Sequence, residues 1–503
     1  MVSTMTSVET MKIPEGYKQT EVGVIPEDWG IEVLHNLVSS ERRITYGIVV
    51  PGPYINNGVP LIRAQDYSRG WVDIDELYRV GTAIDKSYKR SKVISGDILL
   101  TIVGSVGKLA KVTPIFTGSN ITQQTARLSF NEKVASQDFY FNLLKSESGK
   151  KEILNYTKSG VQPSLNLSDV EKFVVVCPPL KEQTAIANAL SDVDNLIASL
   201  ETLIAKKSAI KTAAMQQLLT GKKRLPAFVK QGAKQNSELD NTSETAQAAQ
   251  TKQTSTLNSD LYKESSEGLD SKSNQQSEVS NANNKQTAPR PGYKQTELGE
   301  IPEDWSCIES LEAMHFFGGY GFSSNLASST GVKWLKIANV GLNEIKWDAE
   351  SFLPERLVND YKDFLLKPTD VVMALTRPIL ADKLKVARIE EADIPALLNQ
   401  RVAKIEPKSY HQLDYLYYVV QRLNFVAAMN LAMAGTDPPN IGTNALAKIK
   451  IISPPTKEEQ TAIANVLSDM DTELDSLQQR LSKAQKIKQG MMQELLTGKT
   501  RLV

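Results

Sequence analysis

The chain has 503 residues, of which 41% are hydrophobic and 23% are charged, and this length allows two or three domains with cores of their own. The 58 basic residues are balanced by 58 acidic ones, so the net charge neither requires nor excludes a nucleic-acid partner. Two cysteines and three histidines are too few for a disulfide framework and lack the spacing of a structural zinc site. No apolar run has the length of a transmembrane helix and no signal peptide is recognisable, so we expect a soluble, cytoplasmic protein with no membrane partner.

Two stretches of the sequence occur twice. Residues 182–188 read Glu-Gln-Thr-Ala-Ile-Ala-Asn and return at 459–465. Residues 218–222 read Leu-Leu-Thr-Gly-Lys and return at 495–499. Both repeats have the same offset of 277 positions (459 − 182 and 495 − 218). The equal offsets indicate two long elements of the same length, with no insertion between their landmarks.

Each of these elements is predicted to be a helix, because its apolar residues alternate in steps of four and three, the heptad seam of a coiled coil. The predicted seam residues are Ile186, Leu190, Val193, Ile197, Leu200, Ile204, Ile463, Leu467, Met470, Leu474, Leu477 and Leu481. Lys207, Lys211 and Lys488 occupy seam positions, which weakens the contact there or indicates another partner. Thr456–Glu459 matches a capping box at the start of the second helix. Two antiparallel helices are therefore predicted, with separate amphipathic helices in separate cores as the alternative.

A shorter motif opens each half of the chain. Gly-Tyr-Lys-Gln-Thr-Glu, followed by Ile-Pro-Glu-Asp-Trp, begins at Gly16 and again at Gly292. The chain is therefore predicted to be a pseudo-two-fold internal repeat, each half built from an opening motif, a variable region and a long helix. Trp29 and Trp305 end the motif, and we expect both to anchor it against a core.

The variable regions, residues 30–177 and 306–453, share little sequence, but both carry short runs rich in β-branched residues that predict strands. The predicted strands are Val59–Arg63, Asp97–Val103, Phe173–Val176, Lys333–Ile337, Asp370–Leu375 and Ile449–Ile452. Helices are predicted near Ser136–Lys145 and Tyr410–Met429. Each half is therefore predicted to contain an α+β domain of about 150 residues.

Between the halves, residues 226–291 are rich in Gln, Ser, Asn, Lys and Thr and poor in apolar residues. Such a segment cannot bury enough apolar surface to offset its ordering entropy, so a disordered linker is predicted. We interpret it as a tether that lets the second half fold back and bring the two helices antiparallel.

Two motifs are similar to catalytic ones without matching them. Gly104–Lys108 resembles a phosphate-binding loop, but its glycine spacing is wrong and Leu109 stands where the metal-binding Ser or Thr belongs, so a hairpin turn is predicted. Asp437–Asn440 resembles the acidic-Pro-Pro-aromatic loop of amino-methyltransferases, but Asn440 is not aromatic and no Gly-rich cofactor loop precedes it. No other catalytic constellation is recognisable, so we expect a chain that is not itself an enzyme and holds no metal.

Polar side chains suited to reading base edges lie around the predicted strand ends, since Arg and Lys pair with guanine and Asn and Gln with adenine. The candidates are Arg63, Gln65, Lys108, Asn120, Gln123, Gln124, Arg127 and Gln162 in the first half, and Lys336, Asn339, Arg377, Lys383, Asn399, Gln400, Arg401 and Asn440 in the second. Such residues cover many protein surfaces, so this pattern alone does not establish DNA binding.

The combined pattern resembles the DNA-specificity subunit of type I restriction–modification enzymes. The resemblance is carried by Pro-Pro, Glu-Gln-Thr-Ala-Ile-Ala and Leu-Leu-Thr-Gly-Lys-x-Arg-Leu, present twice in the same order and flanked by dissimilar regions. It implies target-recognition domains at 16–177 and 292–453, coiled-coil helices at 178–225 and 454–503, a leader at 1–15 and a linker at 226–291. This linker is longer than the short joint expected in the family, which leaves open whether the halves pair within one chain or between two.

The resemblance further implies that each recognition domain reads one half of a bipartite, asymmetric site on double-stranded DNA, with the helices fixing the spacing. Two methyltransferase subunits and the restriction-translocase subunits would dock on the chain, and S-adenosylmethionine, ATP and magnesium would be bound by those partners. The loops at 159–164 and 435–440 would contact DNA. Two alternatives are a coiled-coil scaffold without DNA specificity, and a self-contained methyltransferase–nuclease, which would need cofactor motifs.

Overall fold

The computed structural model describes residues 13–229, 289–348 and 351–502, and the chain divides into two compact units. The first unit comprises the chain up to residue 202 together with residues from 479 onward, and the second comprises residues 203–478. Most of the predicted leader, and the predicted linker from 230 to 288, lie outside the described residues. Each unit therefore combines one variable region with one half of each long helix.

The first unit is built from short strands and helices arranged around two main sheets. Its strands are β1 (Tyr17–Thr20), β2 (Gly23–Pro26), β3 (Gly30–Val33), β4 (Thr45–Tyr46), β5 (Val59–Ile62), β6 (Tyr78–Val80), β7 (Ile98–Thr101), β8 (Leu109–Lys111), β9 (Asn120–Ile121), β10 (Thr125–Leu128) and β11 (Val174–Cys177). Its helices are α1 (Leu34–Leu37), α2 (Thr82–Ser87), α3 (Gln137–Lys145), α4 (Glu147–Tyr156) and α5 (Leu167–Val170), followed by the long α6 (Leu180–Leu218). The sheets have the orders β4-β10-β7-β8 and β6-β5-β9, and β1–β2 and β3–β11 form antiparallel pairs.

The second unit repeats this plan. Its strands are β12 (Tyr293–Thr296), β13 (Gly299–Pro302), β14 (Ser306–Glu309), β15 (Met314–Gly318), β16 (Val332–Leu335), β17 (Phe352–Leu353), β18 (Val371–Ala374), β19 (Ile379–Leu380), β20 (Lys383–Leu384), β21 (Val386–Arg388), β22 (Ala396–Leu398), β23 (Val402–Pro407) and β24 (Lys450–Ser453). Its helices are α7 (Ser310–Ala313), α8 (Leu357–Asp360), α9 (Leu413–Val419), α10 (Leu423–Ala432) and α11 (Thr443–Ala447), followed by the long α12 (Lys457–Leu495).

The sheets of the second unit correspond to those of the first, with the orders β15-β23-β18-β21 and β17-β16-β22. In both units the three-stranded sheet joins one antiparallel and one parallel pair, β5–β9 in the first and β16–β22 in the second. The main addition in the second unit is the small β19–β20 hairpin, inserted between β18 and β21. The predicted α+β architecture with an internal repeat is confirmed.

Every strand predicted in the variable regions is present to within one or two residues, but the single helix predicted over Tyr410–Met429 is wrong. The chain forms α9 and α10 instead, separated at Arg422, whose backbone is extended (φ −66°, ψ 145°). The first unit has the same break at Ser146, whose hydroxyl caps α4 by accepting from the Gly149 N–H (3.3 Å). The helices cross so closely there that a Cβ on Gly149 would lie 2.2 Å from the Leu143 carbonyl oxygen.

The two long helices each contain 39 residues, about 58 Å at 1.5 Å per residue. Every predicted seam residue is buried or half-buried. In the first unit the start of α6 and the end of α12 share one core, which contains Leu190 and Leu495. In the second unit the end of α6 and the start of α12 share another, which contains Leu218 and Leu467. The helices are therefore antiparallel within each unit, as predicted.

The seam lysines are explained by ion pairs across this helix pair. Lys488 pairs with Asp194 in the first unit (2.6 Å). In the second unit Lys207 pairs with Glu473 (2.7 Å), and Lys211 pairs with Asp471. The lysines replace apolar contacts by charge pairs between the same two helices. None of the described helices has an apolar stretch long enough to cross a membrane.

In each unit an arginine clamp joins the opening motif to both helices. Arg501, just beyond α12, donates to Glu182 on α6 (2.6 and 2.8 Å) and to Asp28 of the opening motif (2.9 and 2.8 Å). Trp29 is fully buried beside them and donates its indole N–H to Glu182 (3.0 Å). The tyrosine of the motif, Tyr17, donates to the Gly498 carbonyl oxygen (3.0 Å).

The second unit has the same clamp from the other helix ends. Arg224, just beyond α6, donates to Glu459 on α12 (2.7 and 2.8 Å) and to Asp304 (3.0 Å). Of the two hydrogen bonds of the capping box predicted at Thr456, only one is therefore present. The Thr456 hydroxyl does accept from the Glu459 N–H (3.2 Å), but Arg224 engages the Glu459 carboxylate. Trp305 is fully buried, so both predicted tryptophan anchors are confirmed.

Both flanks of the linker lie on the core of the second unit. Phe228 packs against the core that contains Trp305, and Tyr293 donates its hydroxyl to the Gly221 carbonyl oxygen (3.0 Å). Because the flanks are already close together, joining them does not require a long tether. The interpretation of the linker as a tether concerns residues outside the described part of the chain and stays a prediction.

Deletion of residues 235–284 is consequently expected to preserve folding and to raise the free energy of unfolding by about 1 kcal/mol, because a shorter loop costs less entropy to close. Thermal unfolding of the full and shortened chains would measure the change. Loss of folding in the shortened chain would contradict this expectation and would assign the segment a structural role.

A buried histidine predicts a pH dependence for the second unit. His411 is 5% exposed, with its two ring nitrogens 3.1 Å from the Lys408 carbonyl oxygen and 3.0 Å from the Ser453 hydroxyl. Burial lowers its pKa below the usual 6.5. The unfolded chain therefore takes up this proton at higher pH than the folded chain. The resulting stability is present above pH 6.5 and is lost as the pH falls through the depressed pKa.

Unfolding of the wild type, His411→Gln and His315→Gln between about pH 7.5 and 5 would test this expectation. The His411→Gln chain should lose part of the pH dependence. His315 is exposed and lies 3.1 Å from the Glu406 carboxylate, so its replacement should leave the part of the pH dependence due to His411 in place. Identical pH profiles for all three chains would show that His411 does not contribute.

Candidate nucleic-acid interface

In the first unit, loops from both sheets meet at one end of the strands and are tied together by backbone hydrogen bonds. The Ile102 N–H donates to the Gln124 carbonyl oxygen (2.8 Å), and the Gln123 N–H donates to that of Ile48 (3.0 Å). The Gly104 N–H donates to the Pro163 carbonyl oxygen (3.0 Å). The first loop cluster comprises residues 46–50, 62–65, 102–108, 122–124 and 158–164.

The second unit forms an equivalent cluster with the same hydrogen bonds. The Leu375 N–H donates to the Arg401 carbonyl oxygen (2.9 Å), and the Gln400 N–H donates to that of Tyr320 (3.0 Å). The Arg377 N–H donates to the Pro439 carbonyl oxygen (2.7 Å). The second loop cluster comprises residues 318–322, 335–337, 375–385, 399–401 and 435–440.

The matching backbone hydrogen bonds of the two clusters show which residues occupy equivalent positions. Gln123 corresponds to Gln400, but Gln124 corresponds to Arg401, and Gly104 corresponds to Arg377. The backbone framework is therefore common to the two units, while the side chains it displays are different.

Most of the predicted base-reading residues belong to these two clusters and reach the surface. Exposed members are Gln65, Lys108, Gln123, Gln162, Arg377, Lys383, Gln400, Arg401 and Asn440, and half-buried members are Arg63, Gln124, Lys336 and Asn399. Some are already engaged within the protein. Arg63 pairs with Asp66 (3.0 Å), and the Asn440 amide oxygen accepts from the Thr376 hydroxyl (2.7 Å). The Lys336 ammonium lies 3.8 Å from the centroid of the Trp334 ring, and burial lowers its pKa.

Three predicted residues lie inside the protein instead of at a DNA-facing surface. Asn120 is fully buried and donates to Asp85 (3.1 Å), while Asn339 closes a turn by accepting from the Lys336 N–H (2.9 Å). Arg127 is 2% exposed and donates to two backbone carbonyl oxygens, and burial lowers its pKa to about 10. Their side chains support the strand ends from within, so we withdraw them as base-reading candidates.

The clusters also display apolar side chains, which are absent from the polar candidates predicted from the sequence. Val50 and Val161 are exposed in the first cluster (73% and 109%), and Leu380 is exposed on the added hairpin of the second (56%). Tyr320 is 40% exposed and packs at 4.5 Å between ring centroids against Tyr361. A cluster of exposed apolar and amide side chains can contact thymine methyl groups and base edges. Glycines stand on both sides of Tyr320 in the sequence, and this glycine-rich setting could have been used to predict an exposed aromatic residue in a loop.

Over residues 13–229, 289–348 and 351–502, no group of three or more His, Cys, Asp or Glu side chains is placed to hold a metal ion. Gly104–Lys108 forms the predicted turn between β7 and β8, with Gly104 and Gly107 at positive φ (83° and 90°). The clusters are suited to recognition through hydrogen bonds and apolar contacts.

The chain matches known proteins over both halves. A family described as the type I restriction modification DNA specificity domain matches residues 53–208 and 302–486. The type I restriction enzyme MjaVIII specificity subunit of Methanocaldococcus jannaschii is 27% identical over 497 residues, covering 97% of this chain and 96% of the relative. The EcoBI specificity subunit of Escherichia coli is 36% identical over 163 residues, covering 32% of this chain and 34% of the relative.

A solved structure has the same fold. The S subunit of a type I restriction–modification system from M. genitalium superimposes with a TM-score of 0.51 at 13% identity, covering 93% of this chain and 96% of that one. The two family matches, which span most of the chain, define the protein class. The chain belongs to the family of type I restriction–modification DNA-specificity subunits.

Proposed function

We propose that the two loop clusters read the two halves of a bipartite, asymmetric site on double-stranded DNA, one half for each unit. The observation that carries this proposal is the shared framework with different side chains. Gln124 and Arg401 occupy equivalent positions, as do Gly104 and Arg377. Base edges are read by side chains in the grooves, so equal frameworks with unequal side chains give two different half-sites.

We further propose that the long helices fix the spacing between the half-sites. Each helix begins in the core of one unit and ends in the core of the other, and an arginine clamp holds each end against an opening motif. Helix length is therefore the natural determinant of the spacer. The equal length of α6 and α12 supports this role.

The same helices are the proposed docking surface for two methyltransferase subunits, with restriction-translocase subunits completing the complex. Leu196 and Leu203 lie seven residues apart on one face of α6 and are exposed by 46% and 38%. Such an apolar stripe suits a partner helix. In this proposal the chain itself is not catalytic, and S-adenosylmethionine, ATP and magnesium are bound by the partners.

Mapping of methylated adenines by long-read sequencing, after co-expression with the cognate methyltransferase subunit, would test the proposed function. We expect one bipartite motif with a fixed spacer. Exchange of residues 30–177 for another recognition domain should change one half of the motif, and exchange of 306–453 should change the other. A change in both halves after either exchange would contradict the assignment. A stable complex without sequence-selective methylation would favour a scaffold.

A further inference from the structure

Arg377 occupies a backbone position that favours glycine. Its φ is 46°, in the left-handed region, whereas the equivalent position of the first unit is Gly104 with φ 83°. Both residues donate their N–H to a proline carbonyl oxygen of the neighbouring loop. Glycine adopts this conformation without a steric penalty, and arginine does not. The second unit therefore has a large side chain at a position where the equivalent backbone of the first unit needs only glycine.

No contact within the described residues accounts for that side chain. Arg377 is exposed, and its guanidinium makes no hydrogen bond or ion pair with any residue that the structure describes. Non-glycine residues in unfavourable backbone regions concentrate at binding and catalytic sites, where the surrounding structure holds them in place. An external ligand is thus the simplest reason for this arginine.

The backbone on both sides of Arg377 is fixed. The hydroxyl of Thr376, which is 3% exposed, donates to the Asn440 amide oxygen (2.7 Å). On the other side the Pro378 carbonyl oxygen accepts from the Lys385 N–H (2.7 Å). The guanidinium is consequently carried by a rigid stretch of backbone within the second loop cluster. A rigid backbone is useful for a contact with defined geometry.

A contact to a phosphate would not require such a rigid backbone, because any nearby cation can neutralise a phosphate, and the exposed Lys383 lies in the same cluster. A guanine does require it. The planar guanidinium donates two hydrogen bonds at once to the O6 and N7 atoms of guanine, which is the commonest specific contact in the major groove.

We propose that Arg377 is a specificity-determining residue that forms this two-bond contact with one guanine in the half-site of the second unit. The first unit makes no counterpart contact from Gly104. The inference rests on the proposed function, since it assigns a base to a side chain of that interface.

The test uses the complex of the full chain with its methyltransferase subunit, and duplexes that carry the mapped target. Each guanine of the half-site, identified by the 306–453 exchange, is replaced singly by 7-deazaguanine, which lacks N7 but still pairs with cytosine. For the wild type we expect binding to weaken about fivefold or more at one guanine, consistent with the loss of one hydrogen bond of the pair.

Arg377→Gly should bind the unmodified target less tightly and respond equally to all the substituted duplexes. Its thermal stability should be unchanged or higher, because glycine relieves the backbone, and this separates recognition from folding. Arg377→Lys keeps the charge but not the planar fork, so its discrimination at that guanine should be weaker than that of the wild type. Arg356→Gln, an exposed arginine of the same unit outside the cluster, should behave as the wild type.

Retained discrimination in Arg377→Gly, or a second half-site without guanine, would overturn the inference and leave the proposed function intact. A wild-type complex without any bipartite motif would refute the proposed function and this inference together.

Discussion

Replacing Arg224 with alanine is expected to lower the free energy of unfolding of the second unit by about 3–5 kcal/mol, because it leaves a buried carboxylate without its partner. Glu459 has a side chain only 1% exposed and receives two hydrogen bonds from Arg224, whose pKa these bonds raise. The Trp305 indole N–H makes no hydrogen bond among the described residues, so no neighbouring tryptophan compensates.

The first unit offers an internal comparison. Arg501→Ala removes the equivalent bonds to Glu182, but the Trp29 indole N–H still donates to that carboxylate (3.0 Å). The destabilisation should therefore be smaller than for Arg224→Ala. Asp28 also loses its partner in that variant, and its pKa, lowered chiefly by the Arg501 hydrogen bond, should return towards 3.8.

Calorimetric unfolding of the full chain would measure both effects. Arg290→Ala is the matched control, because the exposed Arg290 pairs with the half-buried Glu300 in the same unit (2.6 Å), where loss of the pair should cost much less than loss of the clamp. Equal stability of the Arg290 and Arg224 variants would show that the clamp does not hold the helix ends.

Deleting one heptad from α6 alone, Ile197–Leu203, is expected to abolish methylation by the complex. Seven residues shorten a helix by about 10.5 Å, so the two clamps can no longer close at the same time. Deleting the facing heptad of α12 as well, Gln479–Gln485, should restore both clamps, because it keeps the pairing of Asp194 with Lys488 and of Lys211 with Asp471.

The doubly shortened chain should methylate the same half-sites with a spacer shorter by up to about three base pairs, since one heptad corresponds to about three base-pair rises. The methylated motif, mapped by long-read sequencing, would give the spacer directly. An unchanged spacer in an active double variant would contradict the proposed role of the helices as the determinant of spacing.

Regular features of this fold could be predicted from the sequence because each has a local signal. Ile463 and Leu467 belong to a heptad that is visible without any tertiary information, and Trp29 lies in a repeated motif. The break between α9 and α10 was not predictable, because apolar residues lie on both sides of Arg422 and no proline or glycine marks the turn.

The candidate site was only partly predictable, because a polar residue near a strand end can face outward or close a turn inside. Asn339 and Asn399 look alike in sequence, yet one is 1% exposed and the other is half-buried in the second loop cluster. Asn339 accepts from the Lys336 N–H and donates to the Lys346 carbonyl oxygen (2.8 Å), and this turn is not visible as a pattern in the sequence. The clamp arginines were also missed, although Arg224 and Arg501 share the offset of the repeat.

In each unit the opening motif of one half is clamped to the end of the other half's long helix, and this has a consequence for how such a chain can arise. Gly498 packs against Pro26 and Trp29, so closely that a Cβ would lie 2.5 Å from the Pro26 ring, and Gly221 packs in the same way against Pro302. A half-length chain ending after Arg224 could close neither clamp by itself. Two copies could close both, with Arg224 of each taking the place of Arg501 in the other, and under the proposed function such a symmetric dimer would read an inverted repeat. Fusion of two copies into one gene would then free the halves to diverge, so the proposed asymmetry of the target would be a product of gene duplication.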